Sequence, residues 1–227
     1  GLKARLAEDG VERKYLDPIY SHPEITFDAK GISLFFVHRE SKLNYGQFLG
    51  QEEVVMARRY MQQYSQFLDQ AQKRYGVDPA VITAILLVET RLGTYVGHPR
   101  VINTLSTMAA LQDYPVRKKF WEALSDERKA SRKKFELKAD RKSAWAYKEL
   151  VSFLKFAREQ GLDPIEVTGF YAGAMWIPQF MPSSALKLAR DGNGDNRIDL
   201  LQHPDAIASV ANYLKHHGWR ADLSRKE

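Results

Sequence analysis

Pro79-Ala-Val-Ile-Thr-Ala-Ile-Leu-Leu-Val-Glu89-Thr90-Arg91 is the stretch on which the reading of this chain turns. Asp78 just before it suits an N-cap, and Pro79 is preset for a first helical turn. From there to Val88 the residues are apolar on all faces, which predicts a central helix buried on every side. Glu89 closes that helix. An ionised carboxylate there meets poor solvation and the negative pole of the helix dipole, and both favour its protonated form. To donate a proton near neutrality a glutamate must be lifted from about 4.3 to above roughly 6, a difference of about 3 kcal/mol, which a nearly dry helix end supplies. Taken alone, Glu89 reads first as a core-edge glutamate paired with Arg91 or a distant basic side chain.

Upstream, Val54 to Tyr75 place Tyr60, Tyr64, Phe67, Leu68, Ala71 and Tyr75 at helical spacing, and Gly76 is a natural left-handed end. Residues 1 to about 50 read as loops and short helices, with one strand candidate at Ile32-Ser-Leu-Phe-Phe-Val37. Downstream, Gly93, Gly97 and Pro99 mark a loop and Asn103 opens a helix through Leu111. Helical pattern then runs from 116 to 160 and ends at Gly161. A Gly- and Pro-dense stretch from Gly169 to Pro182 precedes a helix over Ser183 to Ala189. Pro204 starts the last helix, with Ala206, Ile207, Val210, Ala211 and Leu214 on one side. The fold class is mainly α. The segments are an irregular, helical N-terminal piece at 1–53, a core with the Glu89 helix at 54–115, a helical basic lobe at 116–165, and a closing segment at 166–227.

The chain has 227 residues, 44% of them hydrophobic, enough for a substantial core. It carries no cysteine, which excludes disulfides and thiolate chemistry. No apolar run approaches the roughly 20 residues of a membrane span, so the chain as numbered reads as soluble. Any membrane anchoring would come from a segment outside it. A net charge of +6 and a pI near 9.3 favour a polyanionic partner: nucleic acid, an anionic membrane surface or a wall polymer bearing carboxylates. Much of the excess lies between Arg117 and Lys142, where a solvated helical face is the simplest reading. There is no phosphate-binding loop and no nucleic-acid motif, so a nucleic-acid partner is not expected.

Three ordered pieces carry a resemblance: Glu89-Thr90-Arg91; Gly173-Ala-Met175 with Gln179-Phe-Met-Pro-Ser183; and Ala206-Ile-Ala-Ser-Val-Ala-Asn-Tyr213, then Gly218-Trp219. Together they resemble the signature of the membrane-bound lytic murein transglycosylase B family. The resemblance implies a lysozyme-like helical core with an additional helical lobe, acting in the periplasm as a monomer on peptidoglycan strands. The bond cut would be the β-1,4 link between N-acetylmuramic acid and N-acetylglucosamine, leaving 1,6-anhydromuramoyl ends. Glu89 would be the catalytic acid and then the base. Gln179, Tyr213, Tyr45 and Arg117 match substrate-binding positions, and Trp176 is a candidate to stack on a sugar face or to pack in the core. Two departures stand out. Phe170 occupies a serine position, and Trp176-Ile-Pro178 replaces a glycine-containing turn.

Asp191-Gly-Asn-Gly-Asp-Asn-Arg-Ile-Asp-Leu-Leu-Gln202 has the spacing of an EF-hand-like calcium loop. The usual glycine at position six is Asn196, and the usual glutamate at position twelve is Gln202. The resemblance supplies a later carboxylate, Asp205. The implied ligands are Asp191, Asn193, Asp195, the Arg197 carbonyl and Asp205, for a structural calcium or sodium ion, with no cofactor required for the chemistry. Two other readings stay open: a noncatalytic peptidoglycan-binding protein, and a lysozyme-type hydrolase needing a second, water-activating carboxylate.

Overall fold

The computed structural model describes residues 1–37, 45–48, 50–124, 131–170 and 172–221. They form two compact units whose pieces interleave along the chain. Unit 1 takes 1–40, 97–174 and 181–183, and unit 2 takes 41–96, 175–180 and 184–227. The four contiguous segments read from the sequence do not anticipate this, because a linear scan sees composition and not pairing. Among the described residues there is no sheet, only isolated bridges at Arg100 with Thr168 and Met175 with Phe180. No helix of the described residues is long and apolar enough to cross a membrane.

Unit 1 contains α1 (Leu2–Glu8), α2 (Arg13–Tyr20), α3 (Ala29–Val37), α7 (Val101–Ala110), α8 (Tyr114–Ala123) and α9 (Arg132–Glu159). The strand expected at 32–37 is helix α3. Short β-branched and aromatic runs do not separate strand from buried helix without tertiary context. Helix α7 is the axis: every residue from Val101 to Ala109 is buried. Its polar members hold the N-terminal segment through hydrogen bonds that satisfy buried groups. Asn103 Nδ2 donates to the Glu24 carbonyl at 2.8 Å, Thr107 Oγ1 accepts from the Asp28 N–H at 3.0 Å, and Tyr20 and Ser106 share a hydroxyl contact at 2.8 Å. Helix α9 lies against α7, burying Phe135, Ala139, Ala146, Leu150, Phe153, Leu154 and Ala157 at helical spacing. Ser131 caps its start, and Gly161, at φ +65°, lies just past its end.

Unit 2 contains α4 (Gln51–Gln63), α5 (Ser65–Tyr75), α6 (Pro79–Thr90) and α11 (His203–His216). The single helix read over 54–75 is broken at Tyr64, at φ −109°, ψ 21°. Gly76 ends α5 in the left-handed conformation, as its spacing predicts. Helix α11 packs on α5 and α6, and Trp219 Nε1 donates to the Gly76 carbonyl at 3.0 Å.

The expectation of burial around the whole of α6 does not hold. Ile82, Thr83, Leu86, Leu87 and Thr90 are buried, but Ala80, Ala84 and Glu89 are exposed and Val81, Ile85 and Val88 are half-buried. Small and branched apolar residues suggest core on every face, yet composition alone does not distinguish a buried face from the floor of an open surface.

Candidate functional site

Glu89 is exposed in the last turn of α6. The dry helix end expected from the sequence is therefore corrected. The turn after Glu89 is tightly built. Arg91, Leu92 and Gly93 all have positive φ (49°, 59° and 85°), so the chain reverses at once beyond the helix. For Arg91 and Leu92 that conformation costs of order 1–3 kcal/mol each and persists only where neighbours enforce it. Thr90 is one such neighbour. Its buried hydroxyl donates to the Ile177 carbonyl at 2.9 Å and accepts from the Gly93 N–H at 3.0 Å. Arg91 pairs with Glu53 on α4 at 2.9 Å.

Thr90 thus joins the Glu89 turn to the second motif. Residues 175–180 form a tight loop in which the Met175 N–H donates to the Phe180 carbonyl at 2.9 Å and the Ile177 N–H donates to the Leu200 carbonyl at 3.3 Å. Trp176 and Gln179 sit at φ +56° and +51° without being glycine. The Gln179 amide donates to the Trp176 carbonyl at 2.7 Å and so braces the loop. Trp176 is only 4% exposed, and Ile177 is buried beside it. A sugar-stacking role for Trp176 is corrected accordingly, since its bulk is used in packing. Tyr213 on α11 is half-buried, its ring 5.3 Å from that of Phe180. Tyr45 opens a 3-10 turn (Tyr45–Phe48), but its side chain lies outside the described residues.

Two further features escaped sequence reasoning. In unit 1, buried Glu149 accepts from the Ser183 N–H at 2.9 Å and its hydroxyl at 2.8 Å, capping α10 (Pro182–Leu188). Nothing in local pattern marks Glu149, because its partner lies 34 residues away. In unit 2, a cavity of about 730 Å³ is lined by Val55, Met56, Arg59, Tyr60, Tyr64 and His203 among others, and Glu89 is not one of its lining residues. His203 Nδ1 and the Tyr60 hydroxyl are 3.0 Å apart, and burial pushes the imidazole below its ordinary pKa. A base with a depressed folded pKa stabilises the fold above its unfolded pKa of about 6.5, and that stability is lost as pH falls. The melting temperature is therefore expected to drop on acidification below that value, and to drop less in His203→Gln, as thermal scans across pH would show.

Arg117 takes a structural position in unit 1. Its guanidinium donates to the Leu111 carbonyl at 2.7 Å and pairs with Glu136 at 2.9 Å and Asp140 at 2.6 Å. Those partners hold α8 to α9.

The 191–205 loop is an Asx-rich turn. Asp191 accepts from the N–H groups of Asn193, Gly194 and Asn196, and Asp195 accepts from that of Arg197. Asp205 is fully buried and accepts from the Gly192 and Asp199 N–H groups, both at 2.8 Å. Burial foremost, then the charges of Asp191 and Asp195, still push the Asp205 carboxyl above its ordinary pKa. A cation relieves that crowding, so the donor set fits a hard ion in charge and oxygen type. It is not a ready carboxylate cage: no group of three or more His, Asp or Glu side chains among the described residues is placed to hold a metal.

Removing the Thr90 hydroxyl leaves the Gly93 donor and the Ile177 acceptor unpartnered in a buried place. Thr90→Val is expected to cost about 2 kcal/mol in denaturant unfolding.

Comparison with known proteins adds a family. Residues 1–226 match the family described as Transglycosylase SLT domain. Over 160 residues the chain is 37% identical to membrane-bound lytic murein transglycosylase B of Escherichia coli K12, covering 70% of this chain and 37% of that protein. Among solved structures it is similar to soluble lytic transglycosylase SltB1 of Pseudomonas aeruginosa (TM-score 0.76, 30% identity, 97% of this chain and 66% of that one). It is also similar to the Escherichia coli lytic transglycosylase Slt35 in complex with calcium (TM-score 0.71, 30% identity, 97% of this chain and 62% of that one). The chain thus spans between about a third and two thirds of the length of these relatives.

Proposed function

The chain belongs to the transglycosylase SLT domain family, and on that premise we propose that it is a peptidoglycan lytic transglycosylase of the bacterial periplasm. In this reading Glu89 protonates the β-1,4 glycosidic oxygen between N-acetylmuramic acid and N-acetylglucosamine as positive charge develops at the anomeric carbon. The C6 hydroxyl of the same muramic acid then attacks that carbon and gives its proton back to Glu89. One bond is broken, one is formed, and no water is consumed. Because the nucleophile is tethered at high effective concentration, a single carboxylate suffices where ordinary glycosidases use two. The segment from Gly173 to Ser184 accordingly offers no Asp or Glu.

The observation that carries this reading is the exposed carboxylate at the end of α6, locked through Thr90 to the loop that holds Gln179. Exposure is what a polymer substrate requires, since the glycosidic oxygen must reach the acid. Desolvation then comes from the bound glycan, which excludes water and favours the protonated carboxyl. Gln179, Tyr213 and Tyr45 are retained as glycan contacts. Digestion of purified sacculi with mass spectrometry of the products tests the reading. Anhydro-ended muropeptides are expected; reducing ends support a hydrolase, and no release supports a binding protein.

The family's relative in complex with calcium makes a similar ion the reading of the 191–205 loop. Asp191, Asn193, Asp195, the Arg197 carbonyl and Asp205 would hold it, and its part is structural. Millimolar calcium is expected to raise the melting temperature, by the equivalent of about 2.7 kcal/mol at a hundred times Kd. Asp191→Asn should remove that response in a thermal-shift titration.

A further inference from the structure

We propose that the exposed face of α9 in unit 1 docks the protein onto an anionic lipid bilayer, independently of the cleavage chemistry. Lys133, Lys134, Leu137, Lys138, Arg141, Ala144, Trp145 and Lys148 fall, at 3.6 residues per turn, within about 140° of the helix circumference and along about 22 Å. All are exposed or half-exposed. Among the described residues, no acidic residue of α9 falls within that arc. Glu136 and Asp140 lie beyond its edge, engaged by Arg117 and Arg132. Glu149 is buried on Ser183. Asp9 binds the Tyr147 hydroxyl on the flank. Burial foremost, and then the charges of Lys138 and Arg141, push the neighbouring Lys142 down to about 8.

A large apolar side chain accompanies these cations: Leu137, within the arc, is 65% exposed. A leucine held in water among lysines has no use on a polyanionic strand. On a bilayer it enters beneath the headgroups while the long basic side chains reach the phosphates. Geometry favours the same occupant. The arc is the convex outside of one helix, whereas polymer strands are tracked by grooves. A cavity in unit 1, lined by Gly10, Val11, Tyr15, Leu154, Lys155, Arg158 and Glu159, shares no residue with it.

The test is co-sedimentation of the full chain with vesicles of phosphatidylcholine, with and without phosphatidylglycerol. Binding is expected only with the anionic lipid, and to weaken as salt rises. Each cation near such a surface is worth about fivefold in partitioning, so the triple variant Lys133→Gln, Lys134→Gln, Arg141→Gln should bind about a hundredfold more weakly. Leu137→Asn should weaken binding at unchanged charge. Arg158→Gln, a cation off the face, should leave it unaltered. Circular dichroism on each variant separates a lost surface from a lost fold, and all these positions are solvent-facing. Equal binding to neutral vesicles, full binding by the folded triple variant, or equal loss in Arg158→Gln would each overturn the proposal. So would salt-sensitive binding to DNA that exceeds binding to vesicles and is lost in the triple variant.

Discussion

Glu89→Gln is expected to yield a folded protein that releases no anhydro-ended fragments from sacculi. The substitution keeps the side chain's size and removes the transferable proton. General acid and base assistance is worth about 10²–10⁴ in rate, so turnover should fall at least into that range. Because Glu89 is exposed and the substitution keeps its size, the variant should stay folded with a melting temperature near that of the parent. That combination distinguishes a chemical role from the core-edge glutamate that position 89 would otherwise be: loss of a structural glutamate lowers the melting temperature along with activity. Retained turnover in a folded Glu89→Gln protein would mean that another group supplies the proton.

The largest effect on stability is expected in unit 1, from Gly97→Ala. Gly97 lies at φ +89°, and a Cβ added there would stand 2.1 Å from the Gly169 carbonyl oxygen, a backbone atom that cannot swing aside. The contact matters because 97–101 runs beside 167–169: the Gly169 N–H donates to the Pro99 carbonyl at 2.9 Å and the Val101 N–H to the Val167 carbonyl at 3.0 Å. Positive φ alone costs an alanine roughly 1–2 kcal/mol. With the clash added, Gly97→Ala should lose about 3 kcal/mol or more in urea unfolding. Gly10→Ala is the control, since Gly10 has nearly the same φ, +88°, and nothing within 4 Å of its added Cβ. Equal losses in the two variants would show that the close backbone approach contributes nothing.

Much of this architecture is legible in local pattern. Asp78 does cap α6, accepting from the Ala80 N–H at 2.8 Å, and Gly76 and Gly161 do end their helices with positive φ. Such features are settled within one or two helical turns, where residue chemistry and backbone geometry are directly linked. Distant packing decides the rest. Helix α3 reads as a strand because its apolar run is short, and the break at Tyr64 has no glycine or proline to announce it. The exposure of Glu89, the burial of Trp176 and the capture of Arg117 by Glu136 and Asp140 all depend on elements far away in sequence. At the site, motif order marks the helix and the loop. It does not show that Thr90 is the bond between them, or that Gln179 braces its own turn.

In the proposed reaction the sugar's own hydroxyl, and not water, closes the cleaved end. Digestion of sacculi in water enriched in oxygen-18, with mass spectrometry of the released ends, measures this directly. Intramolecular closure gives anhydro ends carrying no label; reducing ends with one oxygen-18 per cleavage would contradict it.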